Sequence, residues 1–149
     1  MSAIIENVAA GKGSHFGHDA CVMCGESNPW SLNLGFEPDG VGGVHASFKS
    51  NWRLQGYDGL VHGGVIAALL DSAMTHCLFH RGIRAVTGDL RIRYPHPVPI
   101  DRALTLRAWV AKASSPIYRL QSELIEQTRV LAWAQATFCE TGGAPVEDT

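Results

Sequence analysis

The stretch Gly63-Gly-Val-Ile-Ala-Ala-Leu-Leu-Asp-Ser-Ala-Met-Thr-His-Cys-Leu-Phe-His80 decides the fold. It reads as one helix. It closes on Arg81-Gly82, a basic last turn followed by a C-terminal glycine. Its first two turns are apolar all round, the pattern of a helix that is enclosed on every side and not laid on a surface. A single enclosed helix needs a sheet around it.

The flanking sequence supplies that sheet. Downstream the period changes from 3.6 to 2. Leu90, Ile92 and Tyr94 alternate with Thr87, Asp89, Arg91 and Arg93. Pro95-His-Pro-Val-Pro99 breaks the run. Leu104, Leu106, Ala108 and Val110 alternate with Thr105, Arg107 and Trp109, and Ser114-Ser-Pro116 turns the chain. Residues 117–125 and 130–138 give two more strands, joined at Glu126-Gln-Thr128. Upstream, Leu32 to Phe36 and Val44 to Phe48 read as strands around the turn Pro38-Asp-Gly-Val-Gly-Gly43, and residues 51–60 as a loop. Short links between the later strands imply antiparallel pairing. The expected architecture is α+β, with one curved antiparallel sheet wrapped around one central buried helix.

Size and composition agree. The 149 residues suit one domain, and 46% hydrophobic against 17% charged residues allow a sizeable core. Residues 1–14 and 141–149 read as loosely ordered ends around a domain at 15–140. The formal charge of -2 and the lack of a basic run give no case for nucleic acid. No signal peptide is legible, and the longest apolar stretch, Val65 to Leu70, is too short to span a bilayer. A cytoplasmic location with reduced cysteines and no membrane association is the expectation.

Asp71 stands out because its helical neighbours Leu69, Leu70, Ala73 and Met74 are apolar. A carboxylate held there is partly desolvated, which raises its pKa toward the range of a useful base. At the helix start, His62-Gly63-Gly64 lets a ligand approach the backbone closely. The free N–H groups of the first turn suit an oxyanion. Gly63 and Asp71 are eight residues apart, about 12 Å along a helix, too far for one reacting carbon to touch both. If both act on one substrate, they come from different subunits of a two-fold dimer.

Residues 56–74, Gly-Tyr-Asp-Gly-Leu-Val-His-Gly-Gly-Val-Ile-Ala-Ala-Leu-Leu-Asp-Ser-Ala-Met, resemble the signature of the PaaI-type hotdog thioesterases. The upstream Cys21-Val-Met-Cys-Gly-Glu-Ser-Asn-Pro29 resembles the N-terminal segment of one branch of that family. The resemblance runs from about Cys21 to Phe138. It implies a hotdog domain that hydrolyses acyl-coenzyme A as a homodimer, with a tetramer as the larger option. It also implies roles. Asp71 is general base or nucleophile, and the Gly63 N–H polarises the thioester carbonyl. His62 holds the turn, and Thr87 positions the water. Gly64 lies against the substrate. Arg93, on the same strand face as Thr87 by simple alternation, meets the coenzyme A part, where an arginine can pair with phosphate. Two departures stand out. Some relatives carry Asn, Asp or Gln just before the motif, where this chain has Gly56 with Gln55 beside it as a substitute. Ser72 stands where many relatives have Glu.

Two other functions fit the same fold: a hydratase or dehydratase using His62 as acid or base, and a non-catalytic binding module. Cys21-x-x-Cys24 has zinc spacing, with His15 and His18 just upstream. A strong zinc pattern needs two matched pairs and only one is present, so the cysteines read as small apolar packing residues. His76 and His80 share one helix face beside Cys77. No metal and no cofactor is expected, and the four tryptophans read as core, interface or pocket wall.

Overall fold

The computed structural model describes residues 17–142; the expectations for 1–14 and for 143–149 lie outside them. Six strands form one antiparallel sheet: β1 (Glu37–Pro38), β2 (Val44–Lys49), β3 (Ala85–Arg93), β4 (Ala103–Ser114), β5 (Ile117–Glu126) and β6 (Arg129–Glu140). Their order across the sheet is β1-β2-β4-β5-β6-β3. The helix α1 (Gly63–Phe79) crosses between β2 and β3 in sequence and packs against β2 through β6.

The period-2 pattern explains which face meets the helix. Leu104, Leu106 and Ala108 of β4, Leu120 and Leu124 of β5, and Ala134, Ala136 and Phe138 of β6 are buried. They meet Ile66, Leu69, Leu70, Ala73, Met74, Cys77 and Leu78 of α1 in one core. The Ser122 hydroxyl of β5 donates to the Leu70 carbonyl at 3.0 Å, anchoring the helix one residue before Asp71. Register shifts at Thr87/Asp89, Val110/Lys112 and Leu124/Ile125 interrupt the ladders, and such bulges bend strands.

Three expectations change. Leu32 to Phe36 is not a strand; the strand follows it at Glu37–Pro38. Leu32 and Leu34 instead donate their N–H groups to the carbonyls of Val22 and Met23, both at 3.0 Å, so this extended segment pairs with the cysteine loop. The first helical turn is not enclosed: Gly63 and Gly64 are exposed, and Ala67, Ala68, Asp71 and Thr75 are only half-buried. The sheet covers one side of α1, and these residues form the stripe it leaves uncovered. Finally, Arg93 does not share a face with Thr87. Gly88 is an extra residue opposite the junction of Thr137 and Phe138. It turns Thr87 onto the face of Leu90 and Ile92, and Arg93 falls on the other side.

Candidate active site

The start of α1 is built by its own motif. The loop before it closes on itself: the Gly56 N–H donates to Leu60 O at 3.0 Å, and Gly59 takes a left-handed φ of 80°. The His62 N–H bonds Leu54 O and the Val61 N–H bonds Val98 O, both at 2.8 Å. His62 is the N-cap, its ring Nδ1 accepting from the Gly64 N–H at 2.8 Å. That ring lies so close over the first turn that a Cβ on Gly64 would stand 3.0 Å from Nδ1. A Cβ on Gly56 would stand 3.2 Å from the same ring. The glycines therefore make room for the capping histidine. With Gly64 engaged, the Gly63 N–H has no acceptor among the described residues. It points out of a helix N-terminus, where the partial positive charge gathers.

Two turns on, the Asp71 carboxylate meets β3. The Thr87 hydroxyl donates to Asp71 Oδ1 at 2.6 Å. The Gly88 bulge is what aims Thr87 inward at this point. Burial pushes the Asp71 carboxyl above the ordinary carboxylate range, and the Thr87 hydrogen bond partly offsets the rise by stabilising the charged form. The result is a half-buried carboxylate, held by one hydroxyl, on the uncovered stripe of the helix.

The two ends of this constellation stay apart within one chain. A cavity of about 500 Å³ opens beside Gly63 and is lined by Tyr57, His62, Ile66, Tyr94 and His96 among others; Asp71 does not line it. Tyr94 escaped the sequence reading, where it looked like the inward end of a strand. Its hydroxyl donates to Gly63 O at 2.8 Å and ties the helix start to the end of β3. An aromatic ending a strand just before a proline was the available signal. Gln55 turns its side chain into its own loop, Oε1 accepting from the Gly59 N–H at 3.0 Å. Arg93 is exposed on the outer face of β3. The structure thus joins His62, Gly63 and Gly64 at one place and Asp71 with Thr87 at another, and brings neither Gln55 nor Arg93 to Asp71.

Comparison with known proteins fits this geometry. A family model described as the thioesterase superfamily matches residues 58–132, half of the chain. The rat (Rattus norvegicus) acyl-coenzyme A thioesterase THEM4 is 35% identical over 65 residues, 44% of this chain and 28% of that protein, so the likeness spans only a minor part of the relative. A Streptococcus pneumoniae TIGR4 hypothetical thioesterase, crystallised with coenzyme A, superposes with a TM-score of 0.69 at 23% identity, over 74% of this chain and 90% of that one. The E. coli PaaI protein from the phenylacetic acid degradation operon does so with a TM-score of 0.70 at 19% identity, over 76% and 83%. The structural likenesses establish the PaaI-type hotdog fold, and by the family match the chain belongs to the thioesterase superfamily.

Proposed function

We propose that the protein hydrolyses acyl-coenzyme A thioesters as a homodimer, in two sites that each combine Gly63 of one subunit with Asp71 of the other. The observation that carries this reading is the Asp71 carboxylate, half-buried and held by Thr87 at 2.6 Å on a helix stripe that the sheet leaves uncovered. Its distance of about 12 Å from the Gly63 N–H supports the composite site. So does β3, a nine-residue strand at the end of the sheet order, whose outer edge is open to pairing among the described residues.

In this mechanism the thioester carbonyl oxygen sits against the Gly63 N–H and the positive end of α1, which stabilise the negative charge that grows on it. The Asp71 carboxylate of the other subunit takes a proton from water as the water adds to the carbonyl carbon, or attacks that carbon itself. In the first route collapse of the tetrahedral species breaks the C–S bond, the proton taken by Asp71 passes to the departing thiolate, and coenzyme A and the free acid are released. In the second, collapse leaves an acyl anhydride on Asp71, which water hydrolyses to the free acid, its proton going to the coenzyme A thiolate. Thr87 holds the carboxylate and shares its position with the incoming water. His62 acts by shaping the oxyanion donor, since its Nδ1 is engaged by Gly64. A cytoplasmic location goes with this reading, supported by four free cysteines and by the lack of any helix, among the described residues, long and apolar enough to cross a membrane.

The test is coenzyme A release from short, long and aromatic acyl-coenzyme A substrates, followed by chromatography, for wild type and Asp71→Asn. Turnover by the wild type, lost in a folded Asp71→Asn variant, supports the proposal. Equal rates in both proteins, or none in either, overturn it.

A further inference from the structure

The cysteine loop lies against the last turn of α1, at the opposite end from Gly63, and carries a cluster of its own. His18, Cys21 and Cys24 bring their ligand atoms within 4.8 Å of one another. The Cys24 sulfur stands 3.6 Å from His18 Nδ1. A tetrahedral zinc site, with Zn–S about 2.3 Å and Zn–N about 2.1 Å, has an S···N edge of about 3.6 Å. The same distance also suits a hydrogen bond between the Cys24 thiol and the imidazole, which a bound cation would replace.

The backbone around the cluster is shaped for a thiolate. The Met23 N–H, two residues past Cys21, donates to the Cys21 sulfur at 3.3 Å. Such a donor stabilises negative charge on sulfur. The chain then doubles back: Gly25 N–H bonds Cys21 O at 2.8 Å, and Ser27 N–H bonds Asp19 O at 2.9 Å. A Cβ on Gly25 would stand 2.3 Å from Asp19 O and 2.4 Å from Cys21 N, so only glycine fits the return. The loop is held to the fold through Leu32 and Leu34, and Cys24 is 2% exposed. The His18 ring packs edge-on against Phe79 at 4.8 Å between centroids, at the last turn of α1.

We propose that His18, Cys21 and Cys24 form a binding site for a thiophilic divalent cation, zinc first among them, which clamps the N-terminal segment onto the C-terminal end of the central helix. Two sulfurs and one imidazole select a soft or borderline ion over magnesium or calcium. Phe79 is eight residues beyond Asp71, about 12 Å along α1, and the Gly63 cavity is at the opposite helix end. The role is therefore structural. Three protein ligands leave a fourth tetrahedral position for water. Sequence spacing alone left the cysteines as packing residues; the placement of His18 and the folded-back loop change that weighting.

The test uses the untagged full chain and its Cys21→Ser, Cys24→Ser and His18→Ala variants, each stripped with chelator, dialysed against zinc and measured by elemental mass spectrometry. The expected result is about one zinc per wild-type chain and a severalfold loss in each variant. Cobalt in place of zinc should give thiolate charge-transfer bands in wild type, lost in both cysteine variants. Chelation should lower the melting temperature of wild type, and zinc should restore it. Should a variant fail to fold, the wild-type cobalt spectrum and zinc titration decide alone. Wild type that takes up no stoichiometric zinc, or zinc retained in full by both cysteine variants, overturns the proposal, as does a Cys21–Cys24 disulfide in protein purified without oxidant.

Discussion

At the scale of residues, Asp71 is a compromise between burial and use. Its pKa is raised from the ordinary 3.8 because burial penalises the charge. The folded state then binds its proton more tightly than the unfolded chain does. Stability from this group is greatest at acid pH and falls as pH climbs from the ordinary carboxyl value through the raised one. At pH 7 the ionised Asp71 therefore works against the fold. Asp71→Asn should raise the melting temperature at pH 7, with the gain vanishing toward pH 3, while lowering the hydrolysis rate by about 10² or more. Thermal unfolding across that pH range, beside the rate assay, checks both signs. In the proposed mechanism Thr87 is a positioning residue, and its hydrogen bond favours the charged form of Asp71. Thr87→Ala should lower kcat about tenfold and move the acid limb of the rate profile to higher pH, since removing the hydrogen bond leaves burial unopposed. A profile lowered without a shift would mean that Thr87 does not tune Asp71. Of these residues, Asp71 was legible in the sequence because an acid among Leu69, Leu70, Ala73 and Met74 breaks the apolar pattern. Tyr94 was not, because its hydroxyl bond to Gly63 joins segments 31 residues apart.

At the scale of elements, the helix and the four long strands were readable from their periods, since each pattern reports a burial face that the fold does use. What periodicity could not report was the break in it. Thr87 and Arg93 are both odd-numbered, and simple alternation puts them together. Gly88 separates them by one inserted residue. Glycine inside a strand pattern was the signal, as it weakens a strand and often marks a bulge. The consequence is testable. Deleting Gly88 should restore strict alternation, with Leu90 and Ile92 still in the core and Thr87, now next to Asp89, still inward and opposite Phe138. The variant should fold and should keep the rate and the acid limb of the wild type, unlike Thr87→Ala. A defect like that of Thr87→Ala would show that the local twist of the bulge, and not the face alone, sets the Thr87–Asp71 contact. Leu32 to Phe36 misled for a related reason: an extended apolar segment looks like a strand whether its N–H groups meet a sheet or, as here, the carbonyls of Val22 and Met23.

At the scale of the molecule, one core serves the whole domain, and it tolerates little loss. Leu124 of β5 is 0% exposed and stands apart from the site residues. Leu124→Ala should cost about 2–5 kcal/mol in urea unfolding without altering kcat of the protein that remains folded. A smaller loss would mean that the cavity collapses. The uncovered stripe of α1, the open edge of β3 and the separation of Gly63 from Asp71 all ask for a second copy of the chain. The enclosed helix that the sequence suggested would be complete only in the proposed dimer, and a single chain's hydrophobic pattern does not distinguish that from burial within one subunit.

Subunit mixing tests the composite site most directly. Asp71→Asn leaves the oxyanion donor intact. Gly63→Pro removes the N–H while keeping the carboxylate, and proline suits this place: it is the first helical position, and His62 before it already has a ψ of 135°. Each variant alone should be nearly inactive. Unfolded together and refolded at equal amounts, they should recover about a quarter of the wild-type rate, because half the dimers are mixed and each mixed dimer holds one complete site. A mixture of proven heterodimers no more active than its parents would contradict the shared site, and with it the role given to Asp71 and Gly63.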